Sequence, residues 1–132
     1  MEDLKEYISK HKENKEKADD FVTYLYQLMD KYGFDKSSDL YNKANISRQH
    51  WSKIISSKGT PKLELNTVLK LIFALQLDNH ECKYLLKKAG YTLSSSDKYA
   101  LVIRYCIENK IYNLSKVNEY LEENGFGDRL IY

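Results

Sequence analysis

The run from residue 40 to residue 77 constrains the fold most, because its apolar side chains recur at helical rather than strand spacing. Two short amphipathic segments flank Asn45, a residue type that tolerates the positive φ of a tight turn. Ser47 is placed to cap the second segment, which extends to about residue 56. A loop at residues 56–62 contains Gly59 and Pro61. The pattern predicts two short helices joined by a tight turn, then a loop and a helix over residues 65–77.

Helical spacing continues on both sides of this run, and no strand-like alternation competes with it. We predict further helices over residues 18–32, 78–89, 99–109 and 115–123, with Gly33, Gly90 and Gly125 ending three of them. Ser37 or Ser38 is predicted to cap the helix that precedes Asn45. The expected fold is all-α, with a charged segment at residues 1–17, a domain at 18–91 and a helical extension at 92–132. The charged segment is either a helix or a solvated lead-in.

Charge is distributed unevenly along the chain. Residues 40–62 hold five basic side chains and no acid, although the whole chain carries only +2, so the remaining residues sum to −3. Residues 105–132 hold five acids against three bases. Positive charge is therefore concentrated on one motif, as an anionic partner would require.

Several classes of protein do not fit the sequence. No apolar run approaches the ~20 residues of a membrane span, and the first residues lack the apolar region of a signal peptide. The isolated Cys82 and Cys106 read as reduced core thiols. His11 and His80 have no partner at metal-ligand spacing, and no motif of nucleophilic or metal catalysis occurs. We expect a cytoplasmic protein that is not an enzyme, has no membrane partner and needs no cofactor or metal.

Residues 40–54, LYNKANISRQHWSKI, resemble the helix-turn-helix of the phage lambda repressor/Cro-like (XRE-type) family. The resemblance continues through Gly59, Pro61 and residues 65–77, and it covers roughly residues 19–90. The chain as a whole is similar to small regulators of bacterial mobile elements and prophages. The resemblance implies a five-helix domain followed by a two-helix extension. The chain departs from the family pattern at Tyr41, where Ala is usual, at Asn45 in place of Gly, and at Ser37 in place of Gln.

In that family the first motif helix crosses the DNA backbone and the second lies in the major groove. The resemblance therefore implies a sequence-specific regulator of transcription, repressor-like, that binds double-stranded DNA. It assigns core positions within the motif to Leu40, Ala44, Ile46, Trp51 and Ile54. It assigns base contacts to Arg48, Gln49, Ser52 and Lys53. The expected phosphate contacts are Ser37, Lys43, Ser47, His50, Lys58, Thr60 and Lys62.

The chemistry of these side chains agrees with the assignment, because Arg can pair with guanine O6/N7 and Gln with adenine N6/N7. His50 is interpreted either as a phosphate contact or as a plain surface residue. Trp51 is interpreted as a core residue rather than a base-stacking one. Binding of single-stranded or structured RNA would need exposed aromatic side chains among the basic residues.

Regulators of this type usually bind as dimers to two half-sites. We expect a homodimer formed through residues 95–132, whose apolar residues exceed what a compact five-helix domain needs. On that expectation, residues 1–94 alone form a folded monomer. The alternative function is a protein-interaction module, such as an antitoxin or a defence-system adaptor, in which the helix-turn-helix binds a protein partner.

Overall fold

The computed structural model describes residues 3–6, 20–57, 62–94 and 96–132, and every regular element in these ranges is a helix. Residues 4–6 have helical backbone. Seven longer helices follow: α1 Phe21–Lys31, α2 Ser37–Lys43, α3 Arg48–Ser56, α4 Leu65–Leu75, α5 Asn79–Lys88, α6 Lys98–Glu108 and α7 Leu114–Glu123. The predicted all-α class is confirmed. Within the described ranges, no helix has the length and apolar character needed to cross a bilayer.

Local signals set most helix ends. Ser47 and Asp78 each accept a hydrogen bond from a backbone N–H in the first turn of the helix that follows, and Asp78 forms a reciprocal capping box with Glu81. Asp97 caps α6 in the same way. Asn45 has a φ of 56° and Gly33 a φ of 78°, both in the left-handed region. The predicted cap at Ser47, the predicted turn at Asn45 and the predicted helix end at Gly33 are confirmed.

The predicted cap at Ser37 or Ser38 is wrong. Helix α2 begins at Ser37 itself, and the preceding Lys36 occupies the cap position without a side-chain hydrogen bond. Lys36 already has an extended backbone, and its carbonyl accepts the Asp39 N–H at 3.0 Å. The helix therefore starts with Lys36 as its cap residue, and both serines already lie inside the first turn. Most of the charged segment at residues 1–17 lies outside the described residues, as do Lys58, Gly59, Thr60 and Pro61.

Helix α4 is the centre of the core, with eight of its eleven residues buried. It packs against both α2 and α5, while α5 also packs against α1 and α6. The buried apolar side chains form one continuous cluster that runs from Phe21 in α1 to Ile131 near the C-terminus. Cys82 and Cys106 belong to this cluster as free thiols, and burial raises the pKa of Cys82 to about 12.

The extension shares the core of the preceding helices. Ile103 and Cys106 of α6 and Val117 of α7 are fully or almost fully buried in the common cluster. Tyr112, between the two helices, donates its hydroxyl to the Leu77 carbonyl at 3.0 Å and meets the Phe73 ring edge-on. Many of the apolar side chains of residues 95–132, which were expected to contact a second copy, are therefore buried against helices of the same chain.

Residues 126–132, for which the sequence predicted no structure, fold back against the helices. Ile131 is buried, and the Asn118 amide bonds both its N–H and its carbonyl at 2.8 Å. Asn66 of α4 donates to the Leu130 carbonyl at 2.9 Å, and Tyr99 of α6 donates to the Arg129 carbonyl at 3.1 Å. The tail thus links α4, α6 and α7.

Glu81 is a carboxylate buried between α1 and α5, with 3% of its surface exposed. It accepts hydrogen bonds from Lys31 Nζ at 2.6 Å, from the Tyr32 hydroxyl and from the Asp78 backbone N–H at 3.2 Å. Burial by itself would raise its pKa, but these donors outweigh burial and hold the pKa below the ordinary range. Glu81 therefore fastens the end of α1 to the start of α5.

Replacing Glu81 by Gln is expected to lower the free energy of unfolding by about 1–3 kcal/mol at neutral pH, because the buried donors lose a charged acceptor. A depressed carboxyl pKa contributes stability above the unfolded-state pKa, about 4.3 for Glu, and this stability is lost as the pH falls through the folded-state value. Urea denaturation between neutral pH and about pH 3 should show a shallower acid dependence for Glu81→Gln than for the wild type. Glu119→Gln, on an exposed carboxylate, is the control. Equal acid dependence in wild type and Glu81→Gln would contradict the assignment.

Candidate nucleic-acid interface

Helices α2 and α3 are joined by a four-residue turn and held together by apolar contacts. The side chains predicted to form the core of this motif are all buried: Leu40, Ala44, Ile46, Trp51 and Ile54. The Ile46 N–H donates to the Tyr41 carbonyl at 2.8 Å, closing the turn around Asn45. The orientation of α3 relative to α2 is thus set by the core rather than by surface contacts.

Helix α3 has two chemically different faces. Trp51 and Ile54 are buried on the inner face. The four residues predicted to contact bases are all exposed: Arg48, Gln49, Ser52 and Lys53. Because successive helical residues turn by about 100°, these four lie within an arc of about 140° on the outer face. The helix therefore presents two cations, an amide and a hydroxyl together to solvent.

The predicted phosphate contacts occupy more varied environments. Lys43 and Lys62 are exposed, and Lys43 Nζ lies 5.5 Å from the centre of the Phe34 ring. The Ser47 hydroxyl oxygen already accepts the His50 N–H at 3.1 Å as the cap of α3. Ser37 and His50 are half-buried. Lys58 and Thr60 lie outside the described residues, so the basic loop contributes only Lys62 to the geometry seen here.

Tyr41, the departure from the family pattern at the helix–helix contact, packs against Trp51. The two ring centres are 6.0 Å apart with the planes tilted by 40°, and Tyr41 is half-buried. Trp51 is 3% exposed, which leaves it no free face for stacking on a base. Its Nε1 is buried without a hydrogen-bond partner among the described residues. The bulky Tyr41 ring is therefore accommodated by an aromatic neighbour.

Lys70 is a contributor to the motif that the sequence did not indicate. This half-buried lysine on α4 donates its Nζ to the Asn45 carbonyl at 3.0 Å, and burial lowers its pKa. It satisfies a backbone acceptor in the turn and connects the turn to the central helix. Local sequence patterns could not indicate this contact, because 25 positions separate the two residues.

Within the part of the chain that the structure describes, no group of three His, Cys, Asp or Glu side chains could hold a metal ion. Comparison of the chain with protein-family models, curated proteins and solved structures finds no match in any of the three.

Proposed function

We propose that the protein is a sequence-specific double-stranded DNA-binding regulator of transcription, repressor-like and cytoplasmic, that reads the major groove with α3. The single observation that carries the proposal is the outer face of α3, where Arg48, Gln49 and Lys53 are exposed together while Trp51 and Ile54 anchor the opposite face. A helix that reads the major groove needs one face held rigidly by its own domain and another face free to contact base edges.

The surroundings of α3 support the same role. No acidic residue occurs between positions 40 and 62, so α3 and the turn before it carry no negative charge, and Asp39 at the start of α2 is the one acid of the two motif helices. Lys43 precedes α3 in the sequence, Lys62 follows it, and both are exposed. Both can contact phosphate oxygens, and such contacts position a protein on DNA without recognising the base sequence. In this proposal α1–α5 form a five-helix domain of the lambda repressor/Cro-like type, and α6 and α7 are the extension.

We further propose that two copies associate through the surface of the extension. Leu101 and Tyr105 remain 46% and 50% exposed on α6, and Tyr105 meets Tyr120 of α7 edge-on at 5.7 Å between ring centres. Exposed apolar clusters of this kind mark interaction sites, and a two-fold pair would place two α3 helices on two half-sites. Light scattering tests this directly. A dimer that Tyr105→Glu converts to a folded monomer supports it, and a monomeric wild type at tens of micromolar contradicts it.

Selection of bound duplexes from a random pool is the experiment that tests DNA recognition. The proposal predicts enrichment of a short motif, and for a dimer a motif repeated with two-fold symmetry about one helical turn apart. Failure to enrich any motif at low salt would leave the protein-interaction module as the better account of the α2–α3 unit.

Arg48→Ala is expected to cost about 1–3 kcal/mol of binding to the selected duplex and to relax preference at one base pair. Lys43→Ala should instead weaken binding to selected and scrambled duplexes by the same factor, because a phosphate contact carries no base preference. Lys98→Ala, which removes an exposed charge from α6, is the control and should change neither affinity. An equal loss on both duplexes for Arg48→Ala would rule out the base contact.

A further inference from the structure

A cleft of about 530 Å³ lies on another part of the molecule, between α5, α6 and the segment that joins them. Its volume falls within the range of small-molecule sites, roughly 300–1,000 Å³. Side chains from Asn79 to Lys87 line it along α5, a distance of about 12 Å at the helical rise. None of the residues that the α3 proposal uses lines this cleft.

The lining combines an apolar surface with a cationic one. Leu86 and Ile103 are buried in the core, and the half-buried Leu93 leaves apolar surface exposed in the cleft. The basic side chains that line it are His80, Lys83, Lys87 and Arg104. No acidic side chain is among the described residues that line it. Such a surface suits a ligand with one apolar and one anionic end.

Two of the charges on α5, Lys83 and Lys87, lack an ion-pair partner within the described part of the chain. Lys83 and Lys87 are exposed and form no ion pair there, whereas Arg104 pairs with Glu108 at 2.9 Å on an exposed surface. Lys83 and Lys87 are four residues apart on one helix, a spacing at which like charges repel. A bound anion would relieve this repulsion and would be attracted by both ammonium groups.

We propose that this cleft binds a medium-chain carboxylate, with the acyl chain along the apolar lining at Leu93 and the carboxylate at Lys83 and Lys87. The volume of the cleft, about 530 Å³, accommodates an acyl chain of the size of decanoate. The site is independent of the proposed DNA interface, so either proposal can fail while the other stands.

Calorimetric titration of the full chain without DNA tests the proposal, with decanoate as the probe. Decanol has the same chain without charge, and acetate has the charge without the chain. Saturable binding of decanoate, at least tenfold tighter than that of decanol and with none of acetate, is the expected result. Equal binding of decanoate and decanol, or no binding of decanoate below its micellar range, would overturn the proposal.

Variants locate the site. Lys83→Gln with Lys87→Gln should weaken decanoate at least tenfold and leave decanol unchanged, while Lys83→Arg with Lys87→Arg should preserve binding. Lys98→Gln with Lys116→Gln removes two exposed charges outside the lining and should have no effect. Thr92→Glu, which adds a negative charge at an exposed lining side chain outside the proposed self-association surface, should weaken decanoate at least tenfold. If decanoate binds all of these variants equally, it binds elsewhere.

Discussion

Replacing Trp51 by alanine is expected to lower the free energy of unfolding by about 3–5 kcal/mol, as other large-to-small changes in protein cores do. Trp51 fills the space between α2 and α3, where it packs beside Tyr41 and is almost fully buried. Urea denaturation followed by circular dichroism gives the change. An unfolding midpoint within a few tenths of a molar of the wild type would show that the ring is not part of the core.

Trp51→Phe is the matched control for this change. It keeps an aromatic ring against Tyr41 and removes an indole N–H that has no partner among the described residues. Its loss of stability should therefore be clearly smaller than that of the alanine variant. Because Trp51 is the sole tryptophan, intrinsic fluorescence reports on it alone. Blue-shifted emission that iodide quenches poorly is expected, whereas red-shifted and readily quenched emission would indicate an exposed ring.

Removing residues 95–132 is expected to destabilise the remaining chain by at least about 5 kcal/mol, the lower end of ordinary domain stability. The removed part contributes Ile103, Cys106 and Val117 to the common core. It also supplies the contacts of Tyr112 with Phe73 and Leu77. Each buried apolar side chain lost accounts for roughly 1.5–3 kcal/mol. The fragment of residues 1–94 should thus melt without a cooperative transition.

A chain ending at Ile131 is the control for this truncation, because the deleted Tyr132 is 71% exposed and its loss should leave the melting temperature nearly unchanged. The sequence favoured the opposite result for the fragment, a folded monomer. A cooperative melt of residues 1–94 close to that of the full chain would restore that view and make α6 and α7 an independent unit.

The features that the sequence predicted correctly depend on neighbours along the chain. Helical periodicity, the cap at Ser47 and the positive φ of Asn45 are all decided within about four residues. The burial of Trp51 follows from the same spacing. The Ser37 or Ser38 cap failed because a cap also depends on the backbone of the residue before the helix, which residue type specifies weakly.

The features that the sequence missed join residues that are far apart. Glu81 is recognisable as part of a capping box, but its contact with Lys31 spans 50 positions. The Lys70 contact with the Asn45 carbonyl is equally non-local. The cleft between α5 and α6 depends on the angle and spacing of the two helices, and no short sequence motif predicts these. Residues 126–132 are too short a segment, interrupted by Gly127, Asp128 and Arg129, to show a period, although Ile131 is buried.

Direct titration of the full chain with the selected duplex and its scrambled counterpart, across a range of salt concentrations, is the most direct test of DNA reading by α3. The account predicts tighter binding of the selected duplex at every salt concentration. It also predicts a linear fall of log K with log salt, with a slope of about −0.9 for each phosphate neutralised. Equal affinity for the two duplexes, or no binding to either at low salt, would contradict it.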